Sequence, residues 1–307
     1  MIHFSSKNYF CLQLSVWIGL ISFLLTPSVL TASLNSPHTV VVAVIDTGLD
    51  ISHPQLKSWV WENSGEMGLD HNGNPKSSNG IDDDQNGYVD DVHGWDFANS
   101  SKNMRDTNGH GTHVAGLVQQ GFLEIKKESR NLRIMPLRYT LGTGINSKQS
   151  FLAALKYAID QNVDIINISA SGRGFSKTEY DLLKKAGHKG IRVVVATGNK
   201  SPGTPDYRSY PASYQLHNIL PVSALDQKGR LLPCANQIHK PGVLFAVGEK
   251  LRSTLPGNHF GFKTGTSQAT ALVSGRLAAS LLLAVSPEQS TTKALKVVMN
   301  PSNTFHN

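Results

Sequence analysis

The 307-residue chain is 39% hydrophobic and 17% charged, which excludes a disordered chain and suits one globular domain with a sizeable core. Its formal net charge of +7 comes from scattered lysines and arginines, apart from short pairs such as Lys126-Lys127 and Lys184-Lys185. The interleaved aromatic and basic residues of single-strand binders are missing, so the charge reads as a solvated surface and no nucleic-acid partner is expected.

Residues 1–33 carry one positive charge, Lys7, and no acid, followed by an apolar run from Leu12 to Leu25 and the small residues Thr31-Ala32-Ser33. That order is the pattern of a secretory signal peptide. The run is shorter than the roughly 20 residues a spanning helix needs. A secreted protein without a stable membrane anchor is therefore expected, in the medium or the periplasm. Cys11 falls in this segment and leaves Cys234 alone, so no intrachain disulfide is expected.

From Thr39 onward, β-branched runs alternate with stretches of helical period. Val40 to Ile45, Leu132 to Leu137, Val163 to Ile168, Ile191 to Ala196 and Ile219 to Ser223 read as short buried strands. Between them, His110 to Gln120, Ser150 to Gln161 and Thr178 to Lys189 place apolar residues three or four apart, as amphipathic helices do. The alternation predicts an α/β fold with a mostly parallel central sheet and helices on both faces. The stretch 65–101 is rich in Gly, Asn and Asp and reads as a surface insertion. From Gln227 to Gly261 the chain is turn-rich with short strands, and from Ser267 it is helical again. With no repeats and no linker, residues 34–307 are expected to form one domain, and the protein a monomer.

Three local patterns carry chemistry. The first strand ends in Val44-Ile-Asp-Thr-Gly48, setting Asp46 at the carboxyl edge of the sheet, where open α/β folds bind ligands. Asn108-Gly-His-Gly-Thr-His-Val-Ala-Gly116 puts His110 between glycines at a helix start, with His113 one turn further on. Lys263-Thr-Gly-Thr-Ser-Gln-Ala-Thr-Ala-Leu-Val-Ser-Gly275 opens an apolar helix on Ser267. Taken singly, Asp46 could end a turn, His110 sit on the surface and Ser267 cap a helix. Within the insertion, Asp82-Asp-Asp-Gln-Asn-Gly-Tyr-Val-Asp-Asp91 offers oxygens at Asp82, Asp84, Asn86 and Asp90 in a D-x-D-x-N-G calcium-loop order, but His93 stands where a twelfth-position Glu would be. A structural calcium ion there and a solvated acidic loop both fit.

Together, in this order, the three patterns resemble the subtilisin-like serine peptidases, the subtilase family. The resemblance runs from about Val40 to Gly275 and includes Ser52-His-Pro-Gln-Leu56, Tyr210-Pro-Ala-Ser-Tyr214 and Ser253-Thr-Leu-Pro-Gly257. It implies a subtilisin-like three-layer fold and an endopeptidase acting on proteins or peptides through an acyl-enzyme, with no cofactor for catalysis. It assigns Ser267 as nucleophile, His110 as general base and Asp46 as the group that orients the imidazole; His113 is left structural. Asn199, in Val193-Val-Val-Ala-Thr-Gly-Asn199, takes the oxyanion-donor role beside the Ser267 N–H. Ser169, Ala170 and Ser171 fall in the segment that pairs with substrate.

Some positions depart from the family pattern. Ala170 and Ser171 replace Leu and Gly in that segment, Gln268 and Ala271 replace Met and Pro after the serine, and Val247 replaces the Pro of Ala-Pro-Gly. Between Ser33 and Val40 there is no room for the propeptide many secreted subtilases carry, so either unaided folding or a departure from the usual maturation is expected. A lipase-type hydrolase is disfavoured because Gly265-Thr-Ser-Gln-Ala269 lacks the second glycine of G-x-S-x-G. Gly142-Thr-Gly144 lacks the third glycine of a dinucleotide fingerprint. The remaining alternative is a secreted subtilase-like binding protein without activity.

Overall fold

Val40-Val-Val-Ala-Val-Ile45 forms strand β1 (Val40–Asp46), and its side chains divide between two cores. Val42 and Val44 pack with Leu117, Val118 and Leu272, whereas Ala43 and Ile45 pack with Leu155, Ile159 and Leu183. A strand buried on both faces has no polar side to present, hence the unbroken apolar run. The computed structural model describes residues 39–283 apart from 128–129, 143–147 and 202; the expected signal segment lies outside them.

Among the described residues the main sheet has seven strands in the order β2-β3-β1-β4-β5-β6-β7. They are β2 (Trp95–Asp96), β3 (Leu132–Arg138), β4 (Ile165–Ile168), β5 (Arg192–Ala196), β6 (Ile219–Leu225) and β7 (Leu244–Val247) beside β1. Every neighbouring pair is parallel; antiparallel pairing of named strands is confined to the hairpin of β8 (Leu251–Leu255) and β9 (His259–Lys263). Helices α1 (His110–Leu123) and α4 (Thr266–Leu281) cover one face, and α2 (Lys148–Asp160) and α3 (Lys177–His188) the other. This is the expected three-layer α/β arrangement. No helix among the described residues is long and apolar enough to cross a membrane.

β1 lies between β3 and β4, so the chain leaves it to one side and later returns on the other. Such a switch opens a crevice at the carboxyl ends of the strands, where Asp46 ends β1. Two helix crossings set the width of that crevice. A Cβ on Gly275 would lie 2.0 Å from the Val118 carbonyl oxygen, and one on Gly121 2.3 Å from that of Leu272. α1 and α4 therefore touch backbone to backbone, which fixes the separation of the helix starts carrying His110 and Ser267.

One element departs from expectation. The stretch read as an insertion contains β2, whose two residues pair with Leu137 and Arg138 and extend the sheet edge. Arg138 and Asp96 form a buried ion pair at 2.8 Å. Two residues are too few to show a strand's alternation, so the pattern gave no sign of it.

Candidate active site

Asp46 is only 4% exposed. Its Oδ1 accepts from His110 Nδ1 at 2.7 Å and from the Thr47 N–H at 2.8 Å. The carboxylate raises the His110 pKa above the ordinary histidine range, and burial opposes it. With Nδ1–H committed to Asp46, the imidazole leaves Nε2 as its proton acceptor.

His110 is held by a residue the sequence reading passed over. Asp106, nearly fully buried, accepts at Oδ1 from Thr47 Oγ1, the Asn108 N–H and the Gly109 N–H, and at Oδ2 from the Thr112 N–H and Oγ1, all within 3.0 Å. It thus satisfies donors at the start of α1 that no intrahelical carbonyl can reach. The signal was present in Asp106-Thr-Asn-Gly-His110, an Asx turn running into a helix. Gly111 then lets the helix meet β1, since a Cβ there would lie 2.1 Å from the Gly48 carbonyl oxygen.

His113 stands apart from Asp46. Its Nε2–H donates to the carbonyls of Leu251 and Gly261, at 3.1 and 3.2 Å, in the β8–β9 hairpin, and Nδ1 is buried without a partner. Burial pushes its pKa down to about 4, so the ring is neutral through the physiological range.

Ser267 occupies the first turn of α4 and is 7% exposed. Its Oγ donates to the Ser169 carbonyl at 2.9 Å, while Ser169 Oγ donates to the Ser267 carbonyl at 3.1 Å. Asn167 on β4 tightens this junction, donating to Ser169 Oγ and accepting from Ser274 Oγ of α4. In this state the hydroxyl is turned toward the segment that follows β4. Asn199 Oδ1 accepts from the Thr266 N–H at 3.1 Å and Oγ1 at 3.2 Å. A backbone donor on Oδ1 settles the orientation of the amide and leaves Nδ2 as the free donor beside the amino end of α4.

A model of the family described as "Subtilase family" matches residues 38–302. The chain belongs to the subtilase family. It is 32% identical over 244 residues to the major intracellular serine protease of Bacillus subtilis, covering 77% of this chain and 66% of that one. It is 31% identical over 237 residues to the thermophilic serine proteinase of Bacillus sp. strain AK1, covering 76% and 50%. It is 30% identical over 296 residues to subtilisin-like protease 1 of Plasmodium falciparum, covering 87% and 41%. The chain thus spans from 41% to 66% of these relatives' own lengths. The structure of a cold-adapted subtilisin-like serine proteinase superposes with a TM-score of 0.61 at 23% identity, covering 83% of this chain and 81% of that one.

In this subtilase the segment after β4 packs against the end of β5. Ser171 Oγ and Tyr207 Oη press on Gly198, where a Cβ would lie 2.7 Å from each. Arg173 covers the Tyr207 ring at 4.5 Å.

The acidic insertion of this subtilase brings together Asp82 and Asp84 with a third group, Glu66. One ligand oxygen from each lies within 4.8 Å of the others. Glu66 is fully buried; its Oε1 accepts from the Asp83 and Asp84 N–H groups, and Oε2 has no partner. Burial raises its pKa. An orphaned, buried carboxylate oxygen beside two more carboxylates fits a hard cation. Asp90 is engaged elsewhere, with the Gly80 N–H at 3.1 Å and Lys102 at 2.8 Å. Asn86 turns its NH₂ toward Asp84 and Asp91 and gives its oxygen to the Tyr88 N–H. Glu66 lies 16 residues before the D-x-D-x-N-G run, too far for any local spacing to point to it.

Proposed function

We propose that this subtilase is a secreted serine endopeptidase that cleaves protein or peptide substrates through an acyl-enzyme on Ser267. Residues 1–33 would direct export, and 34–307 would act as one monomeric domain. The observation that carries the reading is the 2.7 Å contact between His110 Nδ1 and a buried Asp46, at the carboxyl edge where α4 presents Ser267.

Serine is a weak nucleophile until a base takes its proton. A rotation about Cα–Cβ carries the Ser267 hydroxyl from the Ser169 carbonyl to His110 Nε2. Oγ then attacks the peptide carbonyl as Nε2 takes the proton, and the imidazolium is stabilised by Asp46. His110 returns that proton to the leaving amine, leaving the ester on Ser267, and water reverses the sequence. Asn199 Nδ2 and the Ser267 N–H, which has no intrahelical acceptor in the first turn, stabilise the oxyanion. The substrate lies extended beside Ser169, Ala170 and Ser171, held mainly by backbone pairing.

None of these steps needs a metal. A structural calcium ion would be held by Glu66, Asp82 and Asp84, with Asn86 and Asp90 outside its contacts, and would neutralise the insertion.

A serine-directed phosphonate tests the reading. The expected result is covalent labelling of Ser267, blocked in His110→Ala and accompanied by loss of casein hydrolysis. A folded wild-type protein that is neither labelled nor active would favour the inactive binding protein.

A further inference from the structure

A cavity of about 320 Å³ opens beside the substrate segment, with Ala170, Ser171 and Gly172 along one side. Tyr139, Phe151, Phe175 and Tyr210 wall it with aromatic rings, and one carboxyl group lines it, that of Glu179. Glu179 is 8% exposed and makes no ion pair among the described residues. The catalytic steps do not use it.

Its position follows from an incomplete helix cap. Ser176-Lys-Thr-Glu179 has the S-x-x-E spacing of a capping box, in which the Glu side chain returns to the Ser N–H. Ser176 Oγ does accept from the Glu179 N–H at 3.4 Å. The reciprocal bond is replaced: the Ser176 N–H donates to Tyr214 Oη at 3.0 Å. Glu179 is thereby released from the cap and turns inward, its Oε2 3.2 Å from the same Tyr214 Oη.

The Tyr214 hydroxyl has one hydrogen and two acceptors, Glu179 Oε2 and the Ser176 carbonyl at 3.1 Å. A protonated Glu179 can donate to Tyr214 Oη while Tyr214 donates to Ser176, and every bond is made. An ionised Glu179 competes for that hydrogen and lacks a charge partner. Burial pushes its pKa up to about 7, while the Tyr214 bond and the charge of Lys148 lower it. The titratable and charged groups facing it are Lys148 at the start of α2, Tyr139 after β3, and Tyr210 and Tyr214 after β5. Lys148 is exposed, and its flexible stem can keep the ammonium in water.

We propose that Glu179 is a specificity-determining residue and that this cavity takes a basic side chain of the substrate, arginine ahead of lysine, stacked among the rings and paired with the Glu179 carboxylate. A guanidinium suits both features, since it stacks on aromatic faces and bonds a carboxylate through a planar fork. The inference rests on the endopeptidase reading and adds a substrate class to it. Arginine supplies the charge partner that ionised Glu179 lacks, so the preference strengthens as pH rises through about 7 and weakens below it.

Quenched peptides identical except at one position, carrying arginine, its neutral isostere citrulline or alanine, test this when the substitution is scanned along the substrate. At one position, kcat/KM at pH 8 is expected to favour arginine over citrulline by about tenfold, less at pH 6. Glu179→Gln is expected to erase the difference while cleaving the alanine peptide as before. Should Glu179→Gln fail to fold, Lys148→Gln at the exposed rim is expected to enlarge the arginine preference. Equal rates for arginine and citrulline at every position would overturn the inference and leave the endopeptidase reading intact. No cleavage of any peptide would overturn that reading instead. The cavity is then tested by fluorescence anisotropy on the Ser267→Ala protein, where an arginine peptide binding no tighter than its citrulline twin would overturn the inference as well.

Discussion

The junction of α1 with α4 and the acidic insertion before β2 are held by opposite means. At the junction, glycine backbones touch, and buried hydrogen bonds from Asp106 and Asn167 hold the starts of α1 and α4 in place. In the insertion, carboxylates cap backbone N–H groups, as Asp70 does for Asn72 and Asn74 and Asp82 does for Asn86 and Gly87. Their mutual repulsion is offset by few cations, chiefly Lys76 at 3.8 Å from Asp83 and Lys102 at 2.8 Å from Asp90. Steric contact fixes the first region; charge balance governs the second. The junction should therefore answer to changes of shape, the insertion to ions.

The largest effects belong to the crevice beside the junction. Asp46→Asn should lower kcat by about 10⁴-fold with the fold intact, because Nδ1 then loses its carboxylate partner. The same variant should shift the neutral limb of the pH–rate profile to lower pH. His110 must be neutral to act as base, and the charge that raises its pKa has gone. Steady-state kinetics across pH reads both. Asn199→Ala should cost about 10² to 10³ in kcat with little change in KM.

Shape is tested by Gly275→Ala. Its methyl would meet the Val118 carbonyl at 2.0 Å, and such overpacking costs about 1–3 kcal/mol, measurable by denaturant unfolding; activity should fall too, because the helix starts separate. An unchanged midpoint and rate would remove the junction from the account.

Ions should act on the insertion alone. Chelation should lower the wild-type Tm by several degrees, on the order of 2–4 °C per kcal/mol for a domain of this size. Glu66→Gln should abolish that response. Acid should act on the packing of α1 against the β8–β9 hairpin through His113, whose pKa is about 4 when folded and near the ordinary 6.5 when unfolded. The unfolded chain binds more protons between those values, so this contribution is present above about pH 6.5 and is lost as pH falls toward 4. His113→Gln should flatten that part of the stability curve.

The strands and helices that build the sheet were legible because both faces of β1, β4 and β5 are buried, which leaves long apolar runs. β4 begins two residues later than its run because Asp164 turns its carboxylate to the Val41 N–H. β2 was too short to register, and its place in the sheet depends on the distant Arg138. For the site, Asp46, His110 and Ser267 stood out because each sits at a strand end or helix start within a dense local pattern. Asp106 was within reach as an Asx turn. Glu66 and Glu179 were not: one meets its cluster across a loop, and the other is turned inward by Tyr214, a contact 35 residues away.

The most direct test compares wild type with Ser267→Ala for hydrolysis of unfolded casein, after confirming equal unfolding midpoints. The account predicts that activity falls by about 10⁶-fold in the variant. Equal activity in both proteins, or none in either, would contradict it.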